Sequence, residues 1–555
     1  QAWVMFSLAV VETGHYQLYC RGVHKIMLHD ASQPHALPLL VNGDIYSAGH
    51  AGGGGFGIGQ LYPGAYVVSM RVRAVVQAQP SCTLTPVQQR AAWSAASPQQ
   101  VPDIILGSDD HSAPRLCGGY VGVPVKNSGK AGWMRGVSVR SRDPHVTARL
   151  VHDNVDIAPA ALRLLPVEVS LNLSQGNGSV ACPFGTTLEL RATPDDSSQG
   201  GGGDDGVSVL TVRVGSMQCR SPSQSIICTH IDHDGAVSAA AILRPLAPES
   251  CDPTFGCPAI VTLHGTSRPV RDSADAYKHK PRGTSDDEPY TFGVDRFWVV
   301  APTRHGAHNW EQGGRLTALT ALDALSATAE SYGIARLPSA ARVDAHRVLF
   351  CGHSMGGHGA WDTAVHAASR AIGVASVSGW LRKETYGDSN FLFTQSVNDI
   401  SSSYVEPALE GVLRASLGEN DLELHLPLLR HVPHLARTGD ADNTVHSFWA
   451  RRAQRLLASA EGSGGLSPSS RLSELKGKEH WWWDTLAPND GGAVNDEEMR
   501  GFFASVLGPP HTRPVLPKLP HDFLLMAHSS ASFDGRAGWK ILQMHQPARM
   551  ATIRI

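Results

Sequence analysis

The segment Gly352-His353-Ser354-Met355-Gly356 spells G-x-S-x-G. This spacing fits a serine carried on a sharp turn between a strand and a helix. Small residues on both sides let the two elements approach, and the strained corner pushes the hydroxyl outward. The flanks supply both partners: a strand-like run over Arg347–Phe350 and a helical pattern over Gly357–Ala371. A serine hydroxyl is a weak nucleophile until a base takes its proton, and the base must be held by an acid. The chemistry in view is acyl transfer, with attack on a carbonyl carbon, an oxyanion intermediate and a covalent acyl-serine.

Acid and base are sought downstream, in that order. In Arg437-Thr438-Gly439-Asp440-Ala441-Asp442-Asn443-Thr444-Val445 an apolar segment runs into a glycine and then a turn with two carboxylates. Asp442 stands three residues after Gly439 and just before a helical pattern over Ser447–Leu457, where a strand-end acid is expected; Asp440 is its rival. Six histidines follow: His446, His480, His511, His521, His528 and His545. His446 is too near Asp442 and reads as a first-turn residue. His480 follows an edge strand over Ser473–Lys476, in the loop Gly477-Lys478-Glu479-His480-Trp481-Trp482-Trp483-Asp484, and is the expected base. The three tryptophans read equally as a clamp between loop and sheet or as a wall of the substrate site.

The oxyanion needs two backbone N–H donors. One is expected from Met355. The other is expected from Thr266, because Ala259–Leu263 reads as a buried strand running into His264-Gly265-Thr266. The substrate is expected to meet His264, Gly265, His308, Asn309, Trp310, His353 and Trp481. His305, His308 and Glu311 resemble metal ligands in type, but Gly306 breaks a regular helix. No metal and no cofactor are expected.

These residues need a parallel sheet to position them. From about residue 240, apolar runs (Ala259–Leu263, Phe297–Ala301, Arg347–Phe350, Ile372–Val377) alternate with helical patterns such as Arg315–Tyr332. That alternation implies βαβ units. The first 240 residues read as short β-strands between Gly, Pro, Asn and Ser clusters, as in all-β sandwiches. The glycine-rich stretches Ala51–Gly59 and Asp195–Gly206 read as loops, and Thr385–Leu426 as a small lid that sets substrate choice. The expected fold class is multidomain: N-terminal all-β sandwich or jelly-roll-like modules over 1–125 and 126–245, then an α/β-hydrolase domain with a mostly parallel sheet over 246–508. A proline-rich linker and the start of a C-terminal β segment, 509–555, end the chain.

Composition narrows the function classes. The 555 residues are 42% hydrophobic and 17% charged, enough to build buried cores. With 47 basic and 50 acidic residues the net charge is −3, not the basic excess that neutralises nucleic-acid phosphates. The longest apolar stretch, near Trp3–Val11, falls well short of the ~20 residues of a membrane helix. The start at Gln1 and the end at Ile555 read as those of a piece of a longer protein. Nine cysteines include the close pairs Cys219/Cys228 and Cys251/Cys257, and two sequons begin at Asn172 and Asn177. Together they point to a secreted or extracellular setting.

The segment from about 255 to 508 resembles the catalytic domain of the prolyl oligopeptidase family, within the α/β-hydrolase superfamily. The resemblance rests on Leu263-His264-Gly265-Thr266, on Trp298–Pro302 with Arg304–Trp310, on the Ser354 turn, on Gly439–Val445 and on Gly477–Asp484. It implies Ser354 as nucleophile, Asp442 as orienting acid, His480 as general base, and peptidase activity. Residues 1–240 lack the blade-like repeats that precede the family's catalytic domain. His264-Gly265 replaces a tyrosine hydroxyl in the oxyanion hole, which is similar to feruloyl and polyester esterases. The expected function is therefore a serine hydrolase of peptide or ester bonds. A carbohydrate- or protein-binding adhesion protein with a blocked site is the reading of another class.

Overall fold

Apolar runs bounded by turns become the buried strands of a sheet covered on both faces. The computed structural model describes residues 2–21, 25–33, 40–42, 55–72, 81–86, 93–106, 114–127, 132–159, 161–172, 182–195, 207–266, 268–280, 289–303, 309–328, 342–382, 386, 407–461, 470–482, 492–508, 523–546 and 549–555. The loop tips Ala51–Gly54 and Gly200–Gly203, half of the expected lid, the sequon at Asn177 and the proline-rich stretch lie outside these residues. The chain forms two units, one from 1–102, 119–219 and 234–237, the other from 103–118, 220–233 and 238–555.

The first unit is made of antiparallel sheets. Ala2–Val10 pairs along its whole length with Gly64–Val72, which also pairs with Lys25–Asp30. Gly14–Arg21 lies between Gly55–Leu61 and Ser81–Pro86. Alternate residues turn inward, so Leu18, Leu28, Leu61, Tyr66, Val68 and Met70 share one small core. Two four-stranded sheets follow in this unit. Tyr120–Asn127 and Leu162–Leu171 lie at the centre of one, Met134–Ser141 and Phe184–Pro194 at the centre of the other. The Cys182–Cys219 disulfide ties the latter sheet's end.

The second unit is built on eight strands: β1 Ile226–Ile231, β2 Val237–Leu243, β3 Cys257–Leu263, β4 Trp298–Pro302, β5 Val343–His353, β6 Ala371–Val377, β7 His434–Gly439 and β8 Arg471–Leu475. Their order across the sheet is β1-β2-β4-β3-β5-β6-β7-β8. β2 runs antiparallel to β4, and the strands from β4 to β8 are parallel to their neighbours. Every residue of β3, β4, β6 and β7 is buried. Four of its helices are α1 Gly313–Thr328, α2 Met355–His366, α3 Phe448–Glu461 and α4 Glu497–Leu507. Alternation within β3 feeds two cores. Ala259, Val261 and Leu263 join Trp361 of α2 and Ala453 of α3, whereas Ile260 joins Phe502 and Phe503 of α4.

Cys251–Cys257 forms as expected, but Cys219 and Cys228 do not pair with each other. Cys219 bonds Cys182 and Cys228 bonds Cys117, because the strand pairings bring these partners together from 37 and 111 residues away. Sequence proximity overstated a local loop that the sheets do not form.

The C-terminal segment completes the core of the second unit. Leu524–Ala527 pairs antiparallel with Ala551–Arg554. Arg536 is buried and donates to the carbonyls of Leu428 and Arg430, each at 2.6 Å. Phe533 stacks on His366 at 4.1 Å and lies 5.1 Å from His425. His366 donates to the Asp362 carbonyl and His425 to that of Gly418, both at 2.8 Å. Burial pushes both histidines down, His366 well below the usual 6.5 and His425 to about 4. The unfolded chain then binds protons that the fold refuses, so stability falls as pH drops below about 6.5 and stops falling near the depressed value. The expected loss at pH 4.5 is on the order of 3 kcal/mol for His425. Urea unfolding of wild type and His425→Gln between pH 7.5 and 4.5 checks this: the variant should show the shallower decline.

Candidate active site

β5 ends at His353, and Ser354 turns the chain into α2 with φ 58° and ψ −121°. A residue with a side chain at such a φ costs about 1–3 kcal/mol, so the surroundings must impose it. Ser354 N–H donates to Val377 O at 2.9 Å and Ser354 O accepts from His358 N–H at 3.1 Å. The close approach of strand and helix explains the two glycines. A Cβ on Gly352 would drive into the backbone of Gly356, and one on Gly356 into the carbonyl of Leu263 at the end of β3.

Three strand ends bring the expected trio together. The Ser354 hydroxyl donates to His480 Nε2 at 2.9 Å, and His480 Nδ1–H donates to Asp442 Oδ2 at 2.8 Å. All three side chains are buried. Asp442 Oδ1 accepts the N–H groups of Thr444 and Val445 at 2.9 and 2.8 Å. Burial pushes the Asp442 carboxyl up, but the bonds from His480 and Val445 outweigh it and hold the group below its usual range. The rivals sit elsewhere. Asp440 accepts Gly477 N–H at 2.6 Å and shapes the turn, and His446 accepts Phe448 N–H at 3.0 Å at the start of α3.

The expected lining residues divide in two. Trp481 is 59% exposed and stands edge-on to His480, 4.8 Å between ring centres. Gly265 reaches the serine: a Cβ built there would lie 3.4 Å from Ser354 Cβ. His264 Nδ1 donates to the Gly265 carbonyl at 2.8 Å, and Thr266, next in the chain, is exposed. Asn309 is half-buried, and His308 lies outside the described residues. Trp310 and His353 correct the reading, since burial denies both a place in the wall. Trp310 fits against Gly359 of α2 and donates its indole N–H to His264 O at 3.0 Å, bracing the end of β3. His353 donates from Nε2 to the His480 carbonyl at 2.9 Å, its ring 4.7 Å from that of His480. Burial, then the neighbouring His480, keeps His353 neutral. Met355 opens α2, where first-turn amides point out of the helix end.

His358 escaped the sequence reading, and its partner Glu311 was read only beside His305 and His308 as metal-ligand in type. His358 lies one turn after Ser354 in α2, every residue of which is buried. Its Nδ1 donates to Trp380 O at 3.1 Å and its Nε2 to Glu311 Oε1 at 2.9 Å, so both nitrogens carry protons. Burial opposes that charge, but Glu311 outweighs it and raises the histidine above its usual value. Arg315 of α1 donates to Asp362 at 2.7 Å in the same buried region. Glu311, adjacent to Trp310, thus anchors the segment that braces β3. The spacing of His358 four residues after the serine was the available signal.

The strand order, with its antiparallel β2 and with serine, acid and histidine after β5, β7 and β8, decides the architecture. The fold is that of an α/β-hydrolase. Its centre is that of a serine hydrolase. No family model matches the chain, and no curated protein matches it. Among solved structures, it is similar to an S-formylglutathione hydrolase from Agrobacterium tumefaciens, with 16% identity over 46% of this chain and 88% of the other and a TM-score of 0.31. It is also similar to a thermostable esterase, at 13% identity over 69% of this chain and 91% of the other, TM-score 0.28. A fungal esterase from Rhizomucor miehei matches at 16% identity over 51% of this chain and 81% of the other, TM-score 0.30.

Glu311→Gln tests the buried pair. With His358 raised in the fold, the pair stabilises fully below about pH 6.5 and is lost as pH climbs through the raised value. Melting temperature of wild type should therefore decline from pH 6.5 to pH 9, and the variant should lose that decline and melt several degrees lower at pH 6.5.

Proposed function

We propose that the chain hydrolyses carboxylic acid derivatives through an acyl-enzyme on Ser354. The observation that carries this reading is His480 bridging Ser354 and Asp442 at 2.9 and 2.8 Å. His480 Nε2 takes the hydroxyl proton as Ser354 attacks the carbonyl carbon. Asp442 fixes the tautomer with the proton on Nδ1 and stabilises the imidazolium that forms. The N–H groups of Met355 and Thr266 receive the oxyanion. The imidazolium then protonates the leaving group, and water repeats the sequence to release the acid.

The finer reading is a choice of leaving group. Prolyl oligopeptidase-like peptide cleavage follows from the ordered motifs. Carboxylic esters of the feruloyl or polyester type are favoured by His264-Gly265 at the strand end, which supplies backbone donors where a tyrosine hydroxyl would otherwise act. Trp481, exposed beside the base, would bind the acyl or leaving group by its ring face. Residues 1–125 and 126–245 are read as sandwich or jelly-roll-like accessory modules. Among the described residues, three disulfides and the absence of any helix long and apolar enough to cross a membrane fit secretion into an oxidising compartment.

Labelling with a fluorophosphonate and peptide mapping tests the nucleophile. Wild type should label at Ser354 and turn over members of an ester and peptide panel. Ser354→Ala should lose labelling and on the order of 10⁴-fold or more in kcat. Absence of labelling in folded wild type would favour the adhesion reading with a blocked site.

A further inference from the structure

The outer face of one sheet in the first unit carries an unbalanced charge cluster. Three strands lie side by side there: Met134–Ser141, Phe184–Pro194 and Ser208–Met217. Leu188, Leu190, Val212 and Val214 point into the core, so their neighbours point out. Register sets the outward residues in rows. Arg142 N–H bonds Thr187 O, and Thr187 stands opposite Arg213. Arg140 stands opposite Glu189, which stands opposite Thr211. Ser138 stands opposite Arg191. Rows are about 7 Å apart and strands about 4.8 Å apart.

Glu189 organises the face. Its Oε1 accepts from Arg140 Nε at 3.0 Å and from Arg191 Nε at 2.8 Å, and its Oε2 from Arg142 Nε at 3.1 Å. The bond from Arg191 leads in pulling the carboxyl down to about 2. Arg142 and Arg191 reach Glu189 through Nε, and Arg140 through Nη2 at 2.7 Å as well as Nε, while the side chains of Arg140, Arg142 and Arg191 stay 59%, 52% and 43% exposed. Arg213 has no acidic partner among the described residues. Arg135, further along, is neutralised by Asp156 and Asp195. Three arginines thus share one carboxylate, and Arg213 stands in the same rows without one, so the face keeps an excess of positive charge suited to anions.

We propose that this face binds an anionic polysaccharide, its sulfate or carboxylate groups paired with Arg140, Arg142, Arg191 and Arg213. The hydroxyls of Ser138, Thr187 and Thr211 stand between the charges and suit the neutral hydroxyls of a sugar chain. The rows hold no exposed aromatic on which a base would stack, which disfavours a nucleic acid. The inference goes beyond the hydrolase reading and does not depend on it.

Binding of the full chain to immobilised heparin, polygalacturonate, neutral dextran and single-stranded DNA tests this. Heparin or polygalacturonate should bind at about 50 mM salt and weaken at least tenfold by about 200 mM; which of the two binds assigns sulfate or carboxylate. Arg213→Gln, which breaks no contact with Glu189, should weaken binding about tenfold, and Arg140→Gln with Arg191→Gln more than that. Melting temperature and circular dichroism report that each variant is folded. No binding to either polyanion at low salt, equal binding by the folded Arg213→Gln protein, or tighter binding of the DNA would overturn the proposal.

Discussion

The centre of the second unit depends on one close approach, in which the backbone of Gly356 packs against the Leu263 carbonyl. That contact sets α2 directly on β3 and fixes where the turn at Ser354 must stand. The strained φ of the serine follows, since strand and helix are too near to be joined by a relaxed turn. Everything else aims at that point. β3 delivers Gly265 to it, β7 delivers Asp442, and the loop after β8 delivers His480. The reversal of strand order around β3, β4 and β5 opens the crevice in which these ends meet.

The motif and its partners were legible because their constraints are local. A glycine two residues before the serine and another two after it leave few alternatives for a strand-to-helix turn. A carboxylate in the turn after Gly439, and a histidine after the last strand, follow from strand order alone. The supports were not legible in the same way. Trp310 and His353 look like wall residues by type, yet both are buried and hold backbone carbonyls. Their roles depend on which elements pack behind them, and no local pattern records that. His358 was hidden for the same reason, because its partner Glu311 lies 47 residues away. The cysteines misled through proximity: Cys228 closes on Cys117, its cross-strand neighbour in space.

Buried histidines recur through the second unit with different physical outcomes. His366, His425 and His353 are kept neutral because burial dominates and outweighs the pull of nearby carboxylates, Asp442 for His353 and Glu419 for His425. His358 is kept charged because Glu311 lies within a hydrogen bond of it. His480 differs from all of these in the kind of partners its ring nitrogens hold, a hydroxyl on Nε2 and a carboxylate on Nδ1, the pairing on which the proposed proton transfer rests. The same side chain serves as packing, ion-pair partner and proton carrier, and its neighbours decide which.

The interleaving of the two units has a consequence for dissection of the chain. The outer strands β1 and β2 of the hydrolase sheet begin at Ile226 and Val237, before the segment that carries the catalytic motifs. A shortened chain that starts at residue 246 would discard both strands and lay bare the ladder of β4, whose every residue is apolar or buried. An unpaired edge of that kind recruits other strands, including those of a second molecule. The smallest soluble hydrolase cut from this protein must therefore retain residues from before 226. It must also retain the Cys117 stretch or replace it, since Cys228 would otherwise be left with a free thiol.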